Sequence, residues 1–380
     1  GVLDASVSAV TFGVCEGVSM GLGGVSGAEA FYLSQADLDA LASAATARVT
    51  FETVSGSVTM YDLEYLANDI EVNASTVSVV GSMNVAGLSA FVGADIVISA
   101  NVSASDSVSV QATSIDVDAD VWLTAVGGVV SLDAADIRSA SPTWWLAGDG
   151  IVVAGPLEIT GAGTWAVDAD TDVDGVGSVS FASSASVSVS SASVSRLEIT
   201  GAGVALPNSV AANTAEVAFE SSGSVNGSVI RLGGNETGFH LSQTELDAIV
   251  TSGSVSFGGD VTALIVVDSV RVVDNAATVS LVASMTASSA IEFVGEASSF
   301  ATEASVNSRG TVTVAAALSS TARLVLVADS DCDGAGEFVV TASGSVGTPA
   351  EVVVRSAGVS WSGVLDASVS AVTFGVCEGV

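Results

Sequence analysis

The sequence has no lysine and only eight arginines, against 42 acidic residues, so its formal net charge is −34 over 380 residues. A chain with so few cations cannot neutralise phosphates, which excludes nucleic acid as a partner. The same repulsion excludes an anionic membrane surface. Apolar residues are never continuous over 18 positions, so we expect no membrane span in this segment.

Histidine is limited to His240, which rules out a metal cluster built from several histidines. Nothing near His240 resembles a nucleophile elbow, so we expect a structural role for it. The arginines are scattered and form no groove of converging charges such as solenoid enzymes use to cleave polysaccharides. We therefore predict that the protein is not an enzyme, and keep a carbohydrate-active β-helix enzyme as a remote alternative.

Cysteine is also scarce, since Cys377 repeats Cys15 and Cys332 is the remaining thiol. Three cysteines are too few for a disulfide scaffold. Two interpretations of Cys15 and Cys332 stay open: buried apolar thiols, or a crosslink between repeat periods or filaments in an oxidising exterior.

Asparagines in Asn-X-Ser/Thr sequences are candidate glycosylation sites, although a chain this rich in Ser and Thr contains several by chance. They are Asn73, Asn101, Asn226 and Asn235.

Repetition is the strongest feature that is present. Residues 1–18 and 363–380 are identical, GVLDASVSAVTFGVCEGV, which predicts a tandem array with 1–362 as one period and 363–380 as the start of the next. An artificial joint at one end, or an overlapping cut, is the alternative explanation. Residues 33–41 and 241–249 also resemble each other, and each follows a Gly-Gly pair, which suggests sub-repeats 20–229 and 230–362.

Apolar and small polar residues alternate over much of the chain, as in Ser186–Ser190 and Thr311–Val314, which predicts short half-buried strands. Related elements recur with Ile70, Ile96, Ile115 and Ile137 spaced by 26, 19 and 22 residues. Recurrence near 20 predicts an all-β fold, a parallel β-solenoid (β-helix) with one coil per recurrence, as one repeat period of a longer rod. An array of β-sandwiches is the rival.

Two short segments break the strand pattern. Ser34 is followed by Asp37, and Ser242 by Glu245, each three residues later in a capping-box arrangement. We expect single helical turns over 34–41 and 242–249, with Leu38 and Leu41 on one apolar face of the first and Leu246 and Ile249 on one apolar face of the second.

These residues resemble a known family. The element Gly-Gly…Leu-Ser-Gln-(Ala/Thr)-(Asp/Glu)-Leu-Asp-Ala, followed by Val/Ser-rich strands, and the stretch Leu324–Gly334 look like giant repetitive proteins related to filamentous haemagglutinin. The resemblance implies an extracellular or cell-surface protein with a parallel β-helical fold. It implies either a structural fibre or an adhesin stalk that binds glycans or cells.

The sequence thus predicts a structural segment of a giant filament, with an adhesin stalk as the alternative. The expected partners are neighbouring copies of the same repeat, joined end to end, together with lateral contacts between filaments. A free solenoid fragment exposes unpaired strand edges, so it should self-associate.

Aspartates at i, i+2 and i+4 are the candidate metal ligands, since on an extended chain their carboxylates would face one side and repel each other. Calcium would relieve that repulsion. An EF-hand is excluded because the twelfth position of its loop requires Glu and is occupied here by Phe181 or Val340. The alternative to a calcium site is a solvated Asp-Gly turn. The triplets are Asp170, Asp172 and Asp174, and Asp329, Asp331 and Asp333; a third without glycine is Asp116, Asp118 and Asp120.

Overall fold

The computed structural model describes residues 7–24, 29–66, 69–85, 87, 89–223, 228–234, 238–271, 276–366 and 370–376. These residues form 41 strands and two short helices. They fall into two compact units, the first comprising Gly1–Asp172 and Val176–Val194, the second Val173–Gly175 and Ser195–Val380.

The described part of the first unit contains nineteen strands and helix α1 (Gln35–Ala44). Its strands are β1 (Val7–Val14), β2 (Met20–Leu22), β3 (Phe31–Leu33), β4 (Ala45–Thr53), β5 (Ser57–Met60), β6 (Leu63–Leu66), β7 (Asp69–Asn73), β8 (Thr76–Val79), β9 (Met83–Val85), β10 (Ser89–Val92), β11 (Asp95–Ile98), β12 (Val102–Ala104), β13 (Val108–Val117), β14 (Val121–Ala125), β15 (Val129–Ala147), β16 (Gly150–Val153), β17 (Leu157–Asp168), β18 (Ser178–Phe181) and β19 (Val187–Val189).

The remaining strands belong to the second unit, apart from the first residue of β20, and helix α2 (Gln243–Asp247) lies among them. They are β20 (Val194–Gly201), β21 (Gly203–Ala205), β22 (Val210–Asn213), β23 (Glu216–Ser221), β24 (Ser228–Gly233), β25 (Phe239–Leu241), β26 (Ile249–Thr251), β27 (Ser254–Gly259), β28 (Thr262–Asp268), β29 (Thr278–Ala283), β30 (Ala290–Val294), β31 (Ser298–Phe300), β32 (Glu303–Ser308), β33 (Thr311–Val314), β34 (Ala317–Ser320), β35 (Leu324–Ala328), β36 (Glu337–Val340), β37 (Ser345–Gly347), β38 (Glu351–Arg355), β39 (Gly358–Trp361), β40 (Val364–Leu365) and β41 (Ala371–Gly375).

Strands of the first unit stack in three columns, and we use "column" for strands that pair in parallel, one coil after another. The first column includes β1, β4, β7 and β10. The second includes β5, β8 and β11, and the third β6, β9, β12 and β14. The chain visits the three columns in turn, which is the path of a parallel β-solenoid, and the predicted fold class is confirmed.

The length of a coil follows from the residues that pair. Ser89 pairs with Val108 and Asp95 with Ser114, each nineteen residues later, while Val121 pairs with Thr143, twenty-two residues later. The predicted coil of about 20 residues is therefore confirmed. The parallel pairing contradicts the β-sandwich, whose sheets are antiparallel.

The core is a set of aliphatic side chains stacked in register. Successive pairing partners in the second column are all buried: Val58, Val77, Ile96, Ile115, Ile137, Leu157 and Val187. The predicted alignment of Ile96, Ile115 and Ile137 is correct, but Ile70 was misplaced. It pairs with Ser89 in the first column, because neighbouring columns carry the same Asp-Ile pattern.

The second unit repeats this architecture. One column contains β27, β29, β32, β35, β38 and β41, while a seven-stranded and a four-stranded sheet form the other two sides. Ala304 pairs with Leu324, twenty residues later, but Leu324 pairs with Val352, twenty-eight residues later. The longer coil contains the turn of residues 329–336, which we call the Asp turn.

Both helices begin at the predicted capping boxes, but α1 has ten residues and ends at Ala44, so the prediction of a single turn ending at residue 41 was wrong there. The Ser34 backbone N–H donates to Asp37 (3.0 Å), and the Ser242 N–H donates to Glu245 (2.9 Å). Leu38 and Leu246 are buried, whereas the Leu41 side chain lies outside the described residues. No helix within the described ranges is long and apolar enough to cross a membrane.

We predict that Ile115→Ala lowers the free energy of unfolding by about 2–5 kcal/mol, because it leaves a cavity between the buried Ile96 and Ile137. Gln111→Ala, at an exposed position of the same strand, should change it by less than about 0.5 kcal/mol. Urea denaturation followed by circular dichroism measures both. Equal losses would contradict the assignment of the column as the core.

Candidate functional site

The Asp turn is the candidate metal centre, and it follows β35. Asp329 is buried, and its carboxylate accepts backbone hydrogen bonds from Asp333 (2.9 Å) and Gly334 (3.2 Å). Asp329 and Cys332 have positive φ angles of 69° and 58°. The segment is therefore a closed turn, and the expectation of an extended ladder was wrong there.

Arginine from the preceding coil neutralises part of this turn. Arg309 donates from Nε to the Asp331 carboxylate (2.8 Å), and its Nη2 lies 2.7 Å from the same oxygen. This hydrogen bond is the main reason that the pKa of Asp331 lies below its ordinary value. Arg309 could not be predicted as the partner of Asp331 from the sequence, because the pairing depends on the length of this coil.

The three carboxylates of the Asp turn bring oxygens within 4.8 Å of one another, which suits a hard cation in principle. Asp329 already accepts amide hydrogen bonds and Asp331 is already paired with Arg309. A cation would compete with Arg309 at Asp331, so it would depend mainly on Asp333, whose carboxylate also accepts the Ala335 N–H (2.8 Å). Calcium binding stays a prediction.

The other two aspartate triplets differ from the Asp turn in how their carboxylates are placed. Asp170 is buried and Asp172 exposed, both in the first unit, and their carboxylate oxygens lie within 4.8 Å of each other; Asp174 is exposed and belongs to the second unit. Within the described residues, Asp116, Asp118 and Asp120 form no such group of three.

His240 binds the backbone of the Gly-Gly pair before it. Its Nε2 lies 2.7 Å from the Gly233 carbonyl oxygen, and Tyr32 donates equivalently to Gly23 (2.6 Å). A Cβ at Gly233 would lie 2.0 Å from the Asp268 carbonyl oxygen, so only glycine fits at this φ of +75°. The geometry supports the structural role expected of His240.

Arg196 contacts three carboxylates in the second unit. Its guanidinium lies 3.0 Å from Glu198, 3.3 Å from Glu216 and 3.1 Å from Glu220. Burial and then the charge of Glu198 raise the pKa of Glu220, although Arg196 opposes them. One arginine therefore compensates three carboxylates incompletely.

Cys15 and Cys332 are not buried apolar thiols, so that interpretation of these two residues was wrong. Cys15 is free and exposed, while Cys332 is half-buried in the Asp turn and disulfide-bonded. Of the glycosylation candidates, Asn73 is half-buried and donates to Glu71, and exposed Asn101 accepts from the Trp122 backbone. Asn226 and Asn235 lie outside the described residues.

The repeated sequence forms a strand in both places where it occurs. Ala9–Gly13 lie in β1, and their copy Ala371–Gly375 forms β41; we call these residues the repeated strand. Val372 is half-buried and Phe374 is 55% exposed. Phe12, the counterpart of Phe374, is half-buried and stacks on Phe51 with 6.0 Å between ring centroids.

Comparisons with protein-family models, with curated proteins and with solved structures find no match. The resemblance to filamentous-haemagglutinin-like proteins therefore stays a prediction, and function has to be argued from the geometry.

If the Asp turn binds calcium, adding Ca²⁺ should raise the melting temperature by a few degrees and a chelator should reverse the increase. Arg309→Met should strengthen calcium binding, because the competing cation is removed. Asp333→Asn is the matched variant that should abolish the calcium-dependent shift. An unchanged melting curve with calcium would exclude the site.

The raised pKa of Glu220 means that its contribution to stability is present at low pH and is lost as pH rises through the folded-state pKa. Glu220→Gln should therefore increase the free energy of unfolding at pH 7, by about 0.5 kcal/mol. The increase should shrink as pH falls towards 4. Denaturation across this range checks it, with Glu52→Gln, at an exposed position outside the cluster, expected to show no such trend.

Proposed function

We propose that this protein is a structural segment of an extracellular β-solenoid fibre, in which successive 362-residue periods stack end to end along one chain. The observation that supports this proposal is the pairing of the repeated strand. In β41 it lies parallel on β38, with Glu351 opposite Ala371, Val354 opposite Phe374 and Arg355 opposite Gly375.

The same residues in β1 pair with the strand that follows them. Ala9 lies opposite Arg48, Val10 opposite Val49 and Phe12 opposite Phe51. β38 precedes the repeated strand in the chain and β4 follows it, so the two pairings use opposite edges. One repeated strand can therefore accept the end of one period on one edge and begin the next period on the other.

Packing supports the same junction. Phe374 is 55% exposed on β41, whereas Phe12 has Phe51 against one side of its ring. In a continuous array, Phe374 of one period is also Phe12 of the next. This side chain would then lie between Val354 of the first period and Phe51 of the second, and the apolar surface that it exposes at a free end would be buried.

The proposed mechanical role rests on ion pairs between neighbouring coils and on the acidic surface. Arg48 pairs with Glu71 (2.9 Å) and Arg323 with Glu351 (3.1 Å), which ties neighbouring coils together at the surface. The large excess of acidic groups opposes lateral aggregation of the strands. The disulfide at Cys332 is consistent with an oxidising, extracellular location.

An adhesin stalk is the second candidate, and one observation favours it. Trp122 is 42% exposed and stacks on Trp144 with 4.8 Å between ring centroids, offering an aromatic surface for a glycan. The stretch Ser141–Trp145 lies within β15 rather than in a protruding loop, and Trp145 is buried.

The test is a longer chain in which residues 1–362 are followed by residues 1–380. Electron microscopy should show a rod that is longer by about 80 Å per added period, given roughly 21 residues per coil and ~4.8 Å per strand. Separate beads joined by flexible links would contradict the proposal.

A matched pair of variants tests the junction in that chain. Replacing the junction valine, the residue equivalent to Val372, by Asp buries a charge between the two periods and should bend or break the rod there. The Thr373→Ala equivalent, at an exposed position one residue later, should leave the rod straight.

A further inference from the structure

We infer that Cys332 of each period forms a disulfide with the cysteine at position 15 of the following period. This inference rests on the proposed tandem arrangement. Cys332 is disulfide-bonded, and Cys15 is free and exposed, so the bond does not join the two within one period. Cys377 is the copy of Cys15 that begins the next period in this sequence, and it lies outside the described residues.

The register aligns the two strands that precede these cysteines in the sequence. Val327 pairs with Arg355, and Arg355 pairs with Gly375, the copy of Gly13. Cys332 follows Val327 by five residues, and the next period's cysteine follows its Gly13 by two. Because the strands are parallel, Val327 and Gly375 lie at the same end of their strands, two strand spacings or about 9.6 Å apart.

Backbone hydrogen bonds connect the Asp turn to the repeated strand through the intervening coil. Gly336, at the end of the turn, accepts a hydrogen bond from the Ala357 N–H (3.1 Å), one coil further on. Next to it, the Ser356 N–H donates to the Gly375 carbonyl (3.3 Å), at the end of the repeated strand. These contacts connect the turn that carries Cys332 to the strand that precedes the cysteine of the next period.

Asp329 gives the turn a fixed shape, since its buried carboxylate accepts the Asp333 and Gly334 amides. Cys332 is held at φ +58°, between these two anchor points. The turn therefore positions the thiol for one partner rather than leaving it on a loose loop. On this basis the Asp turn is a crosslinking element.

The bond forms by thiol–disulfide exchange with an external disulfide, such as oxidised glutathione or a disulfide-donating oxidoreductase. One cysteine thiolate attacks the donor disulfide, and the second attacks the resulting mixed disulfide. The two protein thiols lose two protons and two electrons, the S–S bond forms, and the donor leaves as two thiols.

Tryptic peptide mapping of the 380-residue chain tests the inference. Cleavage at arginine places Cys15 in residues 1–48, Cys332 in 324–355 and Cys377 in 356–380. Free thiols are first alkylated with iodoacetamide in denaturant without reductant. We expect alkylated Cys15 and a linked pair of peptides 324–355 and 356–380 that separates on reduction.

Alkylated Cys332, or a link between peptides 324–355 and 1–48, would overturn the inference. Cys377→Ser should make Cys332 fully alkylatable, and the matched variant Cys15→Ser should retain the linked pair. A cysteine-free variant of the two-period chain separates the two proposals. If the rod of this variant lengthens normally while the native chain gives unlinked peptides, only the disulfide inference fails. If the peptides are linked but the rods do not lengthen, the fibre proposal fails.

Discussion

Parallel pairing between consecutive coils is the constraint on which this structure depends. A strand in such a column satisfies its backbone groups only when one coil precedes it and another follows. The aliphatic side chains obey the same condition, because Ile115 is buried by Ile96 on one side and Ile137 on the other. A terminal coil has one neighbour, and the 55% exposure of Phe374 is the result. The repeated strand is the means by which another copy can supply the missing neighbour.

Much of this fold was predictable from alternation and spacing, since side chains on a strand alternate between core and solvent whatever their partners are. The capping boxes at Ser34 and Ser242 were predictable because they are local. Ile70 could not be assigned to its column from spacing alone, since adjacent columns share one pattern. Ser139 is fully buried between Val117 and Ile159, although serine in a Val/Ser alternation normally indicates the outer face.

The residues of the candidate site were predictable from the sequence, but their arrangement in space was not. Three aspartates at alternate positions suggested a row of carboxylates, but the positive φ angles at Asp329 and Cys332 fold them into a turn. The partner of Asp331 is Arg309, twenty-two residues earlier, and the fit of the turn against Ala357 depends on the next coil. Contacts between coils depend on register, which insertions such as α1 and the Asp turn change from one coil to the next.

The parallel direction of the strand pairs within each unit has one more consequence, which concerns polarity. In the proposed fibre, coils that all run the same way have two non-equivalent ends, one with the free edge of β1 and one with the free edge of β41. Copies that continue the parallel pairing join head to tail. A fibre made of them would be polar, with two distinguishable ends. Growth, anchoring or capping at one end would therefore involve different chemical groups from those at the other.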